Sequence, residues 1–174
     1  MRQSFISWKD YMGLHLVASL DKVPFAPPYS HSAKEPDRCV IPGSSKVPTI
    51  VVEAGWSESR SQLHEDMKLW LTGGRPDVQL VIVLKWTKGL EDRVEGDVEV
   101  FERDASGSPR SVQRETVYPT PAHAAQQAIR ITKRHLWGRH LPAGYDGNEG
   151  FDLSLDLLRE IALRALHSQG CSPA

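Results

Sequence analysis

Cysteine is scarce, with only Cys39 and Cys171 in 174 residues. Their wide separation offers no metal-ligand or redox spacing, so they read as free thiols of a reducing compartment. Long apolar runs are missing too. The longest, Leu80 to Leu84, is strand-sized, far short of the roughly 20 residues of a spanning helix, so no membrane span is expected. The opening MRQSFISWKD has no continuous apolar stretch of the secretory type. Neither charge sign dominates: 21 basic residues stand against 22 acidic ones, a net charge of −1, which excludes a globally basic nucleic-acid binder. Aromatics make up 7% and mean hydropathy is −0.39, values of neither a membrane protein nor a fully disordered chain. An intracellular domain, cytoplasmic or nuclear, is expected.

What is present suits one domain spanning residues 1–174, long enough to bury a real core. Its charge is uneven. No acidic residue lies between Glu115 and Asp146, whereas Arg130, Lys133, Arg134 and Arg139 do. Such a stretch can face phosphate, or it can be a solvated basic face beside a helix.

Along the chain, Ser7 can cap a helix carrying Trp8, Tyr11, Met12 and Leu16 at helical spacing and stopping near Asp21. Residues 22–47 hold five prolines and read as loop with short extended pieces. Pro48 to Gly55 is rich in β-branched residues, and its core run is apolar on both faces, as in a central strand. A helix capped by Ser57 or Ser59 then places Leu63, Met67, Trp70 and Leu71 on one face and ends at Gly73-Gly74. Val78 to Trp86 is a second buried strand. Asp97 to Glu102 and Ser111 to Tyr118 read as a polar hairpin around DASGSP. Pro121 opens an Ala- and Gln-rich stretch with helical composition that runs into IRITKRHLWGRH, which has no clear periodicity. After a glycine-rich loop, Leu141 to Gly150, a last helix begins near Ser154 and is expected to bury Leu157, Leu158, Ile161 and Leu166. The order predicts an α/β (α+β) domain with a mixed central sheet flanked by helices, in which Pro48–Gly55 and Val78–Trp86 are parallel neighbours.

Glu53 is out of place at the end of the apolar run Ile50-Val51-Val52. An unpaired buried carboxylate costs several kcal/mol, so Glu53 requires a cation, a metal or a ring of donors; a lysine at the sheet edge would also satisfy it. Upstream stands Lys34-Glu-Pro-Asp37. If Cys39 to Ile41 pairs beside 48–54, Asp37 and Glu53 reach one site, and two such carboxylates suit a hard divalent cation such as Mg²⁺.

PTIVVEAGWSESRSQLHEDMKLWL, with KEPD before it and VQLVIVLKW after it, resembles the PD-(D/E)XK restriction-endonuclease-like superfamily, and within it the Uma-type proteins of bacteria and their fungal relatives. The likeness runs from about Pro36 to Leu141, with a core of about 34–141 and the terminal helices packing on it. It implies a restriction-endonuclease-like fold and a hydrolase that uses Mg²⁺ (or Mn²⁺) to cleave phosphodiester bonds. Pro36-Asp37 would be the "PD" and Glu53 the second acidic ligand. The motif's lysine is missing, because Gly55 stands two residues after Glu53. The Uma-type pattern puts a lysine on the next helix, where this chain has Asp66, a candidate third metal ligand. At about 100° per residue, Asp66 falls near the margin of the apolar face and Lys68 points away from it. Lys68 and Lys85 are the replacement candidates, and Arg130, Lys133, Arg134 and Arg139 the phosphate contacts, with DNA the expected nucleic acid. Proteins of this fold often pair through sheet edges or helices, so a homodimer is compatible. The competing reading is a catalytically inactive descendant that serves as a nucleic-acid-binding or protein-interaction module.

Other patterns point to packing. His135 and His140 are five apart, a poor metal spacing. GWSES lacks the second glycine of a nucleophile elbow, and its serines suit a helix cap. Trp56 and Trp70 suit core or cleft packing.

Overall fold

A computed structural model of the chain describes residues 14–17, 22–43, 45–124 and 127–174. Its centre is a mixed sheet of β1 (Leu14–Val17), β4 (Arg38–Pro42), β5 (Ile50–Gly55), β6 (Leu80–Lys88), β7 (Arg93–Arg103) and β11 (Ser172–Pro173), adjacent in that order, with β8 (Pro109–Tyr118) also on β7. Two small ribbons stand apart, β2 (Val23–Pro24) with β3 (Ala33–Lys34) and β9 (Ala128–Thr132) with β10 (Gly150–Ser154). The helices are α1 (Arg60–Lys68), α2 (Lys133–Trp137) and α3 (Leu155–Ser168).

β5 and β6 are parallel and joined through α1, as their apolar composition predicts. β4 runs antiparallel to β5, and β6, β7 and β8 form an antiparallel meander. Ser59 caps α1 by accepting the Gln62 N–H, and a π-helical turn, Leu69–Gly73, extends the helix before the chain returns to β6.

The sheet divides two apolar layers. On one side Val51, Val81, Val83 and Phe101 pack against Leu63, Met67, Trp70 and Leu71 of α1 and its extension, and Phe25 meets the Trp70 ring edge-on at 5.0 Å. On the other, Ile50, Ile82, Val98 and Val100 pack against Ile129, Ile131, Leu136, Leu155 and Leu166. No helix among the described residues is long and apolar enough to cross a membrane.

Several expectations require correction. Most of the N-terminal helix falls on residues outside those described. Its stretch Leu14–Val17 is instead a strand paired with β4, because an open sheet edge satisfies these backbone groups as well as a helix would. The Ala- and Gln-rich stretch is not helical among its described residues, and IRIT belongs to β9, with Phe151 opposite Ile131. α3 is rotated from the expected face. Leu157 and Ile161 are 54% and 52% exposed, while Leu155, Arg159, Ala162 and Leu166 point inward. Arg159 fixes this rotation: its buried guanidinium donates to Val117 O at 3.2 Å, Thr116 O at 2.9 Å and Gln127 Oε1 at 2.6 Å.

Candidate functional site

The β4–β5 register builds the site. Cys39 lies opposite Val51 and Arg38 opposite Val52, so Asp37, one residue before β4, stands level with Glu53. Asp37 Oδ2 accepts the Ala54 backbone N–H at 2.7 Å, which anchors an otherwise exposed aspartate to the strand bearing the glutamate. Glu35, Pro36, Asp37 and Arg38 line an open surface depression of about 350 Å³.

Alternation along β5 turns Val51 and Glu53 toward α1, while Ile50 and Val52 face the other layer. Glu53 is 3% exposed. The Trp70 indole Nε1 donates to Glu53 Oε1 at 2.5 Å. Lys34, at the end of the β2–β3 ribbon, places Nζ 3.7 Å from Glu53 Oε2 and 3.0 Å from Asp66 Oδ2 on α1. The structure thus brings Glu53 and Asp66 to one lysine absent from the sequence-based candidates, with Asp37 acting on both Glu53 and Lys34 only through space.

The electrostatics follow from burial and from this crowd of carboxylates. Burial pushes the Glu53 carboxyl up to about 7; the Trp70 N–H and the Lys34 charge pull it down, and Asp37 and Asp66 push it further up. Burial disfavours the Lys34 ammonium, but the Asp66 hydrogen bond and the charges of Glu53, Asp66 and Asp37 outweigh it and hold its pKa above the ordinary value.

Gly55 stands where Leu63 and Glu58 crowd the strand. A Cβ there would lie 2.7 Å from Leu63 Cδ1 and 2.9 Å from Glu58 Oε2, so α1 seats directly on the strand where a longer side chain would have to pass. Among the described residues, the two sequence-based replacements have other partners than Asp37, Glu53 and Asp66. Lys68 sits on the exposed face of α1, paired with Glu65 at 2.7 Å. Lys85 donates to the carbonyls of Trp86 at 2.7 Å and Trp56 at 3.1 Å. Trp70 is fully buried, as core packing predicts, whereas Trp56 is 39% exposed and lies outside the core.

The basic segment is largely neutralised by carboxylates far along the chain. Arg130 pairs with Asp152 at 3.3 Å and Lys133 with Glu149. Arg139 grips Asp77 through Nε at 2.8 Å and Nη2 at 3.2 Å, and Arg134 is exposed. His135 caps α2, accepting the Thr132 N–H on Nδ1 at 3.2 Å; its Nε2 lies 3.3 Å from Glu102.

Among the described residues no group of three or more His, Cys, Asp or Glu side chains is drawn close enough to hold a metal ion. The oxygen donors that a hard divalent cation takes are present in Asp37, Glu53 and Asp66, but Lys34 is already the counter-ion of Glu53 and Asp66. No protein-family model, curated protein or solved structure matches this chain.

Two of the site's residues carry no site role in the sequence reading. Lys34 lies three residues before Asp37 in an irregular segment, and only the ribbon brings it over β5. Trp70 satisfies the helical apolar stripe, and that pattern hides its indole N–H.

Proposed function

We propose that the chain is a metal-dependent phosphodiesterase built on a restriction-endonuclease-like core, with Asp37 and Glu53 as the carboxylates that hold Mg²⁺ or Mn²⁺. The observation carrying this reading is the juxtaposition of the two acids across β4–β5, locked by the 2.7 Å bond from Ala54 N–H to Asp37 Oδ2. The mixed sheet, with its single helical crossover between the glutamate-bearing strand and its parallel neighbour, supports it.

When bound, such a cation polarises a phosphodiester oxygen and lowers the pKa of a bound water. The chain's own groups do the rest. Trp70 holds Glu53 Oε1 and leaves Oε2 facing the site. The Ala54 N–H holds Asp37 Oδ2. Asp66 orients Lys34, which carries the positive charge that the usual motif takes from the position of Gly55. Arg134, exposed and without an ion-pair partner among the described residues, is the residue of the basic segment best placed to meet phosphate.

Thermal melting with millimolar Mg²⁺ and Mn²⁺ tests this on wild type and Asp37→Ala/Glu53→Ala. A metal-dependent rise that disappears in the double variant, followed by metal-dependent cleavage of DNA or RNA, is the expected result. The second reading, an inactive binding or assembly module, draws on the neutralisation of Arg130, Lys133 and Arg139 by Asp152, Glu149 and Asp77. It requires no metal-dependent shift in either protein.

A further inference from the structure

Tyr145 is an aromatic ring held in solvent beside positive charge. It is 58% exposed, in the loop that leads to β10, and the backbone fixes it there. Gly144 has a φ of 88°, and the Tyr145 N–H donates to Pro142 O at 3.3 Å, which puts glycine where a type II turn needs a positive φ. The backbone N–H groups of Arg134 and Lys133 donate to Gly147 O at 2.9 Å and Glu149 O at 2.6 Å, so the loop is tied to α2. The Lys133 ammonium, paired with Glu149, lies 4.7 Å from the centroid of the Tyr145 ring, a cation–π contact. The Arg134 guanidinium lies against the same loop: a Cβ at Gly147 would stand 3.1 Å from its Nη2.

We propose that Tyr145 and Arg134 form a binding site for single-stranded nucleic acid, in which a base stacks on the ring and a neighbouring phosphate meets the guanidinium. An open aromatic ring next to an exposed cation is the combination such strands use, because every base has a π-face and every nucleotide carries a phosphate. Lys133 is only 16% exposed and is held by Glu149, so it braces the ring, and the phosphate falls to Arg134, which is exposed. A base inside a duplex is already stacked on both faces and does not reach the ring, so the site selects unpaired strands. One such stack is worth about 5- to 150-fold in affinity. That is too little to hold a lone nucleotide on an open surface, and enough to add to other contacts along a strand. The inference deepens the phosphodiesterase reading by naming a single strand as the substrate class. It rests on that reading for cleavage alone, since binding at Tyr145 requires neither Asp37 nor Glu53.

Fluorescence anisotropy in chelator, with a labelled oligothymidylate and a duplex of equal length, tests it on wild type, Tyr145→Phe, Tyr145→Leu and Arg134→Ala. Wild type is expected to bind the single strand more tightly than the duplex. Tyr145→Phe keeps the ring and should bind as wild type does, whereas Tyr145→Leu should lose at least about fivefold for the strand and nothing for the duplex. Arg134→Ala should weaken strand binding and flatten its salt dependence. Photocrosslinking of a bromouracil-substituted strand to wild type, mapped by mass spectrometry, should mark Tyr145, and it decides alone should Tyr145→Leu not fold. Equal strand affinity in Tyr145→Leu and wild type, crosslinks confined to other segments, or tighter binding of the duplex overturns the site. Absence of strand binding in wild type overturns it as well, while metal-dependent melting reports on Asp37 and Glu53 separately.

Discussion

Leu63 lies directly over Gly55, so that a side chain at the glycine would begin 2.7 Å from Leu63 Cδ1. A side chain at this position therefore has to displace the ends of the Leu63 and Glu58 side chains. Gly55→Lys is expected to cost about 1–3 kcal/mol, as overpacking does, read by urea unfolding. A variant as stable as wild type would show that α1 can lift from β5, and would contradict this packing argument.

Glu53 makes stability depend on pH with a defined sign. Its folded pKa, about 7, is raised above the ordinary value of 4.5, so the folded chain binds a proton that the unfolded chain has released. Stability contributed by this group is complete below about pH 4.5 and is lost as pH rises toward 7. Glu53→Gln keeps an acceptor for Trp70 and removes that slope. In chelator, the variant is expected to exceed wild type at pH 8 by on the order of 2–3 kcal/mol and to match it near pH 4.5. Unfolding curves across the range would overturn the raised pKa if the difference stayed constant or grew as pH fell.

Trp70→Phe keeps most of the packed ring and deletes the indole donor to Glu53 Oε1. Leaving that oxygen unpaired at 3% residue exposure is expected to cost about 1–3 kcal/mol. The same substitution made in Glu53→Gln should cost less, and a double-mutant cycle reports the coupling. Strict additivity would mean that the hydrogen bond contributes nothing.

The four basic residues of 130–139 are expected to divide by partner. Arg139→Ala strips the guanidinium from Asp77, whose side chain is 9% exposed, and should lower stability by about 2 kcal/mol. Arg134→Ala should leave the melting temperature unchanged while reducing by about 1 the slope of log affinity against log salt for DNA. Fluorescence anisotropy at several salt concentrations measures it, and a slope equal to that of wild type would take Arg134 out of any phosphate contact.

Leu157 and Ile161 are solvent-facing on α3. Leu157→Ser and Ile161→Ser are each expected to move stability by no more than about 0.5 kcal/mol, whereas Leu166→Ala, at 4% exposure, should cost about 2–5 kcal/mol. Sedimentation at several concentrations adds a check: if that face pairs two copies, the serine variants will shift the association.

Local chemistry made β5, α1 and β6 legible. β-branched runs, a serine cap and an apolar stripe at helical spacing are short-range signals, and they agree with the tertiary packing here. The same logic singled out Glu53, because a carboxylate in an apolar strand needs a partner whatever the fold, and the pairing of 39–41 with 48–54 brought Asp37 beside it. It failed where short segments depend on distant neighbours. Leu14–Val17 became a strand through an open edge of β4, and IRIT through β10. α3 turned its expected core leucine outward because the best-satisfied buried group on that helix is an arginine.

By itself the sequence determined that one buried glutamate must be answered by positive charge or donors, and that an aspartate could stand level with it. Only the tertiary structure decided which groups answer: the Trp70 indole from the end of the following helix, and Lys34 from a ribbon 19 positions upstream of Glu53. The physical reason is range. Burial of a side chain and the pattern of a strand are written within a few neighbouring residues. The sign and distance of a counter-charge depend on which remote segments the sheet and helix bring within about 4 Å.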